Sequence, residues 1–112
     1  LRLADRHGAG LAPAPGDRDR GRVLSWLFWL SNSLHPALRL LFYPDRHVAG
    51  DPGHPLVART RERVARMLDG LEEQAPGLAR WLGAPAGASV LDCSLCPMLR
   101  WLALYPEGTA GW

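Results

Sequence analysis

No stretch of this chain alternates apolar and polar residues with the period of two that a half-buried strand requires. That excludes most sheet architectures at once. The apolar residues recur instead at three- and four-residue spacings between Pro/Gly-rich breaks, and no internal repeat is present. An all-α domain is expected. Leu1 to His7 reads as the last turns of a helix, with Gly8 as its C-cap because glycine accepts the left-handed conformation at little cost. Residues 8–16 read as a Pro/Gly-rich linker. Asp17 supplies an N-cap oxygen for a helix running from Arg18 to at least Leu34. Pro36 should kink or break that helix before it resumes through Phe42. A loop punctuated by Pro44, Gly50, Pro52, Gly53 and Pro55 follows. The second helix runs from about Leu56 to Gln74 on an apolar stripe of Thr60, Val64, Met67, Leu68 and Leu71. Pro76 and Gly77 interrupt it, and a short helical piece covers Leu78 to Leu82.

The third helix has the clearest start signal. Ser89 and Asp92 have the spacing of a capping box, with Asp in place of the usual Glu, and are expected to be structural: the hydroxyl accepts a backbone N–H three residues on and the carboxylate reaches back. From Val90 to Tyr105 the sequence is apolar almost all round, the pattern of a centrally buried helix. Pro97 inside it removes one backbone bond to the Cys93 carbonyl, and Pro106 ends it. Within this reading Cys93 and Cys96 are buried, inert thiols. They lie about four residues inside an apolar helix, and no second cysteine pair completes a tetrahedral zinc site.

Composition narrows the function classes. With 112 residues, 47% hydrophobic and 21% charged, the chain holds one domain with a real core rather than a disordered segment. All thirteen basic residues are arginine, yet the formal charge is only +2, too little for a strongly basic nucleic-acid binder. Arg59, Arg61, Arg63 and Arg66 read as a solvated helix face, with Glu62 four residues before Arg66 in the favourable order for a pair. They lack the interleaved aromatics on which bases stack. Two cysteines are too few for a secreted disulfide scaffold. Asp5 and Arg6 interrupt any signal-peptide core, and the longest uncharged apolar run, Val23 to Leu38, contains too many polar residues and a proline for a membrane span. A cytoplasmic protein with no membrane partner is expected. The start at Leu1, without Met, fits a piece of a longer chain.

At about 100° per residue, Val23, Trp26, Leu27, Leu30 and Leu34 share the core side of the first long helix. Leu24, Phe28, Ser31 and His35 fall on a second strip, mixed in character, that suits a cleft or subunit interface better than a dry core. Trp29 lies off both and is expected to pack against another helix. His7, His47 and His54 lie in or beside loops, and no spacing of His, Asp or Glu points to a metal site.

The segments LADRHGAGLAP, WLFWLSNSLHPALRLLFYPDRH and SVLDCSLCPMLRWLAL, in this order and spacing, resemble the C-terminal domain of bacterial glutathione S-transferases, the beta-like and related classes most closely. The resemblance implies a glutathione S-transferase C-terminal-like helical bundle. Residues 1–16 would be the end of a preceding thioredoxin-like domain plus linker. Residues 17–112 would be the helical domain, incomplete at its C-terminal end. It implies that the catalytic Ser, Tyr or Cys and the groups that hold glutathione lie upstream, so that no catalytic residue and no cofactor site is expected in this chain. Its share would be the hydrophobic-substrate wall, formed by His35, Phe28, Leu24 and Ser31, and part of a homodimer interface. Glutathione would be the co-substrate and a hydrophobic electrophile its partner. The beta class has a histidine at the position of His35, close to the active site. This chain has Phe28 where that class carries asparagine, and Pro36 where lysine often follows the histidine, which favours an apolar wall over polar contacts. A non-catalytic interaction module is the competing reading, and a dehalogenase-type or stress-response relative a third.

Overall fold

The computed structural model describes residues 1–7, 10–48, 53–85 and 87–105; Gly8, Gly50, Pro52 and Pro106 lie outside them. Among the described residues five α-helices carry the fold: α1 (Arg2–His7), α2 (Arg20–Trp29), α3 (His35–Phe42), α4 (Pro55–Gln74) and α5 (Val90–Leu102). Short 3-10 turns at Pro44–Arg46 and Ala75–Leu78 follow α3 and α4, and no strand occurs among the described residues. The helical segment expected over Leu78 to Leu82 is instead the end of the second 3-10 turn followed by tight turns, closed by Leu82 N–H on the Leu78 carbonyl at 2.8 Å. None of these helices is long and apolar enough to cross a membrane.

The helix expected to kink or break near Pro36 does not break. Leu30–Leu34 forms a π-helical turn that joins α2 to α3 without interruption, and the His35 N–H reaches back to the Leu30 carbonyl. The cause is local. A proline ring collides with the carbonyl four residues before it and offers that carbonyl no N–H. Widening the turn ahead of Pro36 moves the carbonyl aside, and Pro36 then sits in the first turn of α3, where its missing donor costs nothing.

The rod formed by α2, the wide turn and α3 packs on α4 and α5 through Val23, Leu30, Leu34, Ala37, Leu38 and Leu41, with Val64, Leu71, Leu91, Leu95 and Leu102 completing the core. Leu34 and Leu38 are wholly excluded from solvent. Trp26, Leu27 and Trp29 are only half-buried and pack at the margin, the two indoles edge to face at 5.1 Å. The expected stripe on α4 is in place: Thr60, Val64 and Leu71 are buried, Met67 and Leu68 half-buried. Thr60 satisfies its hydroxyl on the Leu56 carbonyl at 2.7 Å. His54, which marked only a loop in the sequence, caps α4: its Nδ1 accepts the Leu56 N–H at 3.1 Å.

One end of the bundle is laced together by polar groups. The α2 helix begins at Arg20 rather than Arg18. Asp17 still acts as a turn former, but its Oδ1 accepts the Asp19 N–H at 2.8 Å, and it lies two residues ahead of the helix N-cap position. Asp19 precedes the helix and spends its carboxylate elsewhere, accepting the Trp81 indole N–H and the Arg80 guanidinium, each at 3.1 Å. That indole bond, with Arg18 and Arg80 nearby, holds the Asp19 carboxyl below its ordinary range. Arg20 forks onto both Asp5 oxygens at 2.8 and 2.7 Å and also reaches the Pro13 carbonyl at 2.6 Å. Its hydrogen bonds lower the Asp5 pKa and raise its own. The segment read as a linker is therefore docked in part: Pro13 is buried, and the Leu11 carbonyl accepts the Val90 N–H at 2.8 Å, one of the donors that the start of α5 leaves unpaired.

The α5 helix departs most from expectation. Leu91, Leu95 and Leu102 are buried, but Cys93, Cys96, Pro97, Leu99 and Arg100 are exposed, and the helix ends at Leu102, short of Tyr105. It is a one-sided helix, not a central one, and both thiols face solvent. Burial on all sides needs neighbours on all sides. The described bundle supplies them on one side only, in a body 47 × 26 × 20 Å across whose radius of gyration, 15.9 Å, exceeds the roughly 13 Å of a compact chain of this length.

Candidate functional site

The wide turn divides Leu24, Phe28, Ser31 and His35, leaving Phe28 and Ser31 exposed and Leu24 and His35 half-buried. A π turn holds one residue more than an α turn, so side chains beyond it lag by up to about 100° behind a regular helical register. Leu24 is half-buried and Phe28 is 63% exposed. Ser31, within the wide turn, is exposed and donates its hydroxyl to the Phe28 carbonyl at 3.2 Å. His35, beyond it, is half-buried, with its ring 5.5 Å from that of Trp101 on α5 and tilted by 37°.

His35 shares an open depression of about 270 Å³ with Pro36, Arg39 and His47. Leu24, Phe28 and Ser31 do not line it. Arg39 and His47 were not picked out from the sequence. Arg39 follows His35 by four residues and helical spacing alone could have found it. His47 arrives from the turn after α3, which no periodicity describes. Behind His35 an aromatic cluster ties α3 to α5: Phe42 meets Trp101 edge-on at 5.5 Å and Tyr105 at 4.9 Å. Arg61 of α4 lies over the Tyr105 ring at 5.8 Å, so this member of the arginine run is half-buried while Arg59, Arg63 and Arg66 are exposed.

A larger, apolar groove of about 490 Å³ runs between α4 and α5. Leu68, Leu71, Leu95, Leu99 and Leu102 form its floor and walls, Cys96 faces it, and Asp69, Glu72 and Asp92 bring carboxylates to its edge. Its position follows from the one-sided burial of α5: Leu71, Leu95 and Leu102 close the core beneath it, while half-buried Leu68 and exposed Leu99 are left open to solvent.

Ser89 and Asp92 form the capping box. The Ser89 hydroxyl accepts the Leu91 and Asp92 N–H groups at 3.0 and 3.4 Å and donates to the Trp81 carbonyl. The two Asp92 oxygens accept the Ser89 N–H at 2.8 Å and the Gly83 N–H at 2.7 Å. Burial pushes the Asp92 carboxyl up, but the Ser89 and Gly83 N–H groups and the Ser89 hydroxyl together outweigh it and hold it below the ordinary carboxylate range. The pair thus fastens the 79–83 turns to the start of α5, which also sets one wall of the groove. Among the described residues no group of three or more His, Cys, Asp or Glu side chains is placed to hold a metal ion.

Residues 55–112, just over half of the chain, match the family described as glutathione S-transferase, C-terminal domain. The chain belongs to that family. No curated protein and no solved structure matches it. The part of the glutathione S-transferase C-terminal domain that matches takes in α4 and α5, the capping box and the groove between them. Leu24, Phe28, Ser31 and His35 precede it. The all-helical bundle is the architecture that this family assignment and the structure share.

Proposed function

We propose that this chain is the helical half of a glutathione S-transferase-like protein of bacterial, beta-like character, and that the full-length protein conjugates glutathione to electrophiles in the cytoplasm. The observation that carries the reading is the family match, which extends through the α4–α5 unit. An exposed aromatic, Phe28, and the open depression beside half-buried His35 support a substrate wall along the α2–α3 rod. In this scheme a preceding domain activates the glutathione thiol, which attacks an electrophile held against this one. Desolvation and positioning are this chain's share. Phe28 and Leu24 offer apolar contact to the electrophile or to the second subunit of a homodimer, and the His35 ring, steadied by Trp101, offers a hydrogen-bonding edge.

The experiment is conjugation of glutathione to a generic aromatic electrophile by the full-length protein, with His35→Ala alongside. Loss of turnover by about tenfold or more in the variant, with the fold retained by circular dichroism, is expected if His35 touches the reacting pair. Unchanged turnover removes His35 from the site, and absence of conjugation in the parent removes the transferase reading. The second reading, a non-catalytic interaction module, draws on the open α4–α5 groove, whose apolar floor suits an amphipathic helix.

A further inference from the structure

We propose that Cys93 and Cys96 form a reversible dithiol–disulfide pair that exchanges with small, neutral or cationic disulfides. Three observations converge on it. Both thiols are exposed, so a reagent reaches either one. They stand three residues apart on α5, which places them on one side of the helix with Cβ atoms about 5–6 Å apart. A disulfide needs roughly 3.5–4.5 Å between Cβ atoms, so the turn must tighten by about 1–2 Å. Pro97 lies immediately after Cys96 inside the helix and provides no N–H for the Cys93 carbonyl. The turn that has to move is the one that already lacks its backbone bond.

The surroundings select the reagent. Cys96 lies in the groove wall beside Leu99, which gives a small apolar molecule a place to rest. The carboxylates of Asp69, Glu72 and Asp92 share that groove. They repel an anionic disulfide and attract a cationic one. In the first step one cysteine, as its thiolate, attacks a sulfur of the disulfide RSSR, forming a mixed disulfide and releasing RS⁻. The second cysteine thiolate then attacks the protein-side sulfur and displaces the other RS⁻. Two protein thiols lose two electrons and two protons, RSSR becomes two RSH, and the chain keeps one intramolecular bond. Because the helix must distort to close it, the product belongs to the easily reduced class of disulfides.

The test uses the reduced chain, equilibrated with excess cystamine without air, acid-quenched, alkylated and weighed. The expected product is a monomer lighter by two hydrogens, with no thiol left to alkylate, restored by dithiothreitol. Cys93→Ser and Cys96→Ser should each stop at a single cysteamine adduct, and since both positions are exposed neither change threatens the fold. Wild-type chain carrying two adducts, a covalent dimer or two free thiols overturns the proposal. Cystamine should also outpace glutathione disulfide by about fivefold more on the folded chain than on the urea-unfolded one at low salt. Equal ratios overturn the assigned class of disulfide. Neither readout depends on transferase activity.

Discussion

Truncating Leu34 to alanine is expected to destabilise the domain by about 2–5 kcal/mol, a large share of the roughly 5–15 kcal/mol that holds a domain of ordinary stability together. Leu34 is completely buried where the wide turn meets α3. Its removal takes away apolar contact and leaves a hole that neighbours on a continuous helical rod are poorly able to fill. The measurement is the urea midpoint at unchanged slope, which isolates stability from a change in the unfolded chain. Phe28→Ala is the matched control. At 63% exposure it should shift stability by no more than about 0.5 kcal/mol. Equal effects at the two positions would mean that the core has been assigned to the wrong face of the rod.

The second large effect lies at the capping box. Asp92→Ala unpairs the Ser89 and Gly83 N–H groups at once, and Ser89→Ala loses the cap oxygen together with the bond to Trp81. A lost cap costs about 0.5–2 kcal/mol, and a buried donor left unmatched adds about 1–3. Either variant should melt several degrees lower, at about 4–8 °C per kcal/mol for a domain of this size, with ligand affinity in the full-length protein changed far less. An unchanged melting temperature would refute the structural role. Charge matters as well as shape. The Asp92 carboxyl titrates below its unfolded value, so its contribution is complete above roughly pH 4 and disappears as pH falls through the folded pKa. The stability gap between the parent and Asp92→Asn should therefore be flat near neutrality and close in acid. A gap that widens in acid would contradict the hydrogen-bonded carboxylate.

The capping box is also where sequence and structure agree most closely, because every partner but Gly83 and Trp81 lies within three residues. Local chemistry of this kind is legible. So is the α4 stripe, since Thr60, Val64 and Leu71 need only a helix and a neighbour to be buried. What could not be read depended on distant packing. The thiols of Cys93 and Cys96 look apolar in sequence, but whether they are covered depends on what lies over α5, which its own residues do not encode. Pro13 and Leu11 belong to a stretch with the composition of a tether, yet Arg20 and the bare N–H of Val90 bind it down. At the candidate site, Phe28 and His35 could be placed on one helix, but their separation by the wide turn depends on how Pro36 is accommodated, and a fixed angle per residue carries no trace of that.

The wide turn has a consequence for how such a rod can diverge. Leu30–Leu34 stores one spare residue in the helix. Deleting a single residue there would let the segment close as ordinary α-helix and leave α3 in nearly its present setting about the rod axis, because the wide turn already holds back the roughly 100° that one residue adds. His35 would keep its place opposite Trp101 and Arg39 its depression, whereas a residue lost from α2 itself would swing both away by that angle. In this segment chain length is buffered: one codon lost is taken up by the backbone, and the outer surface keeps its aim.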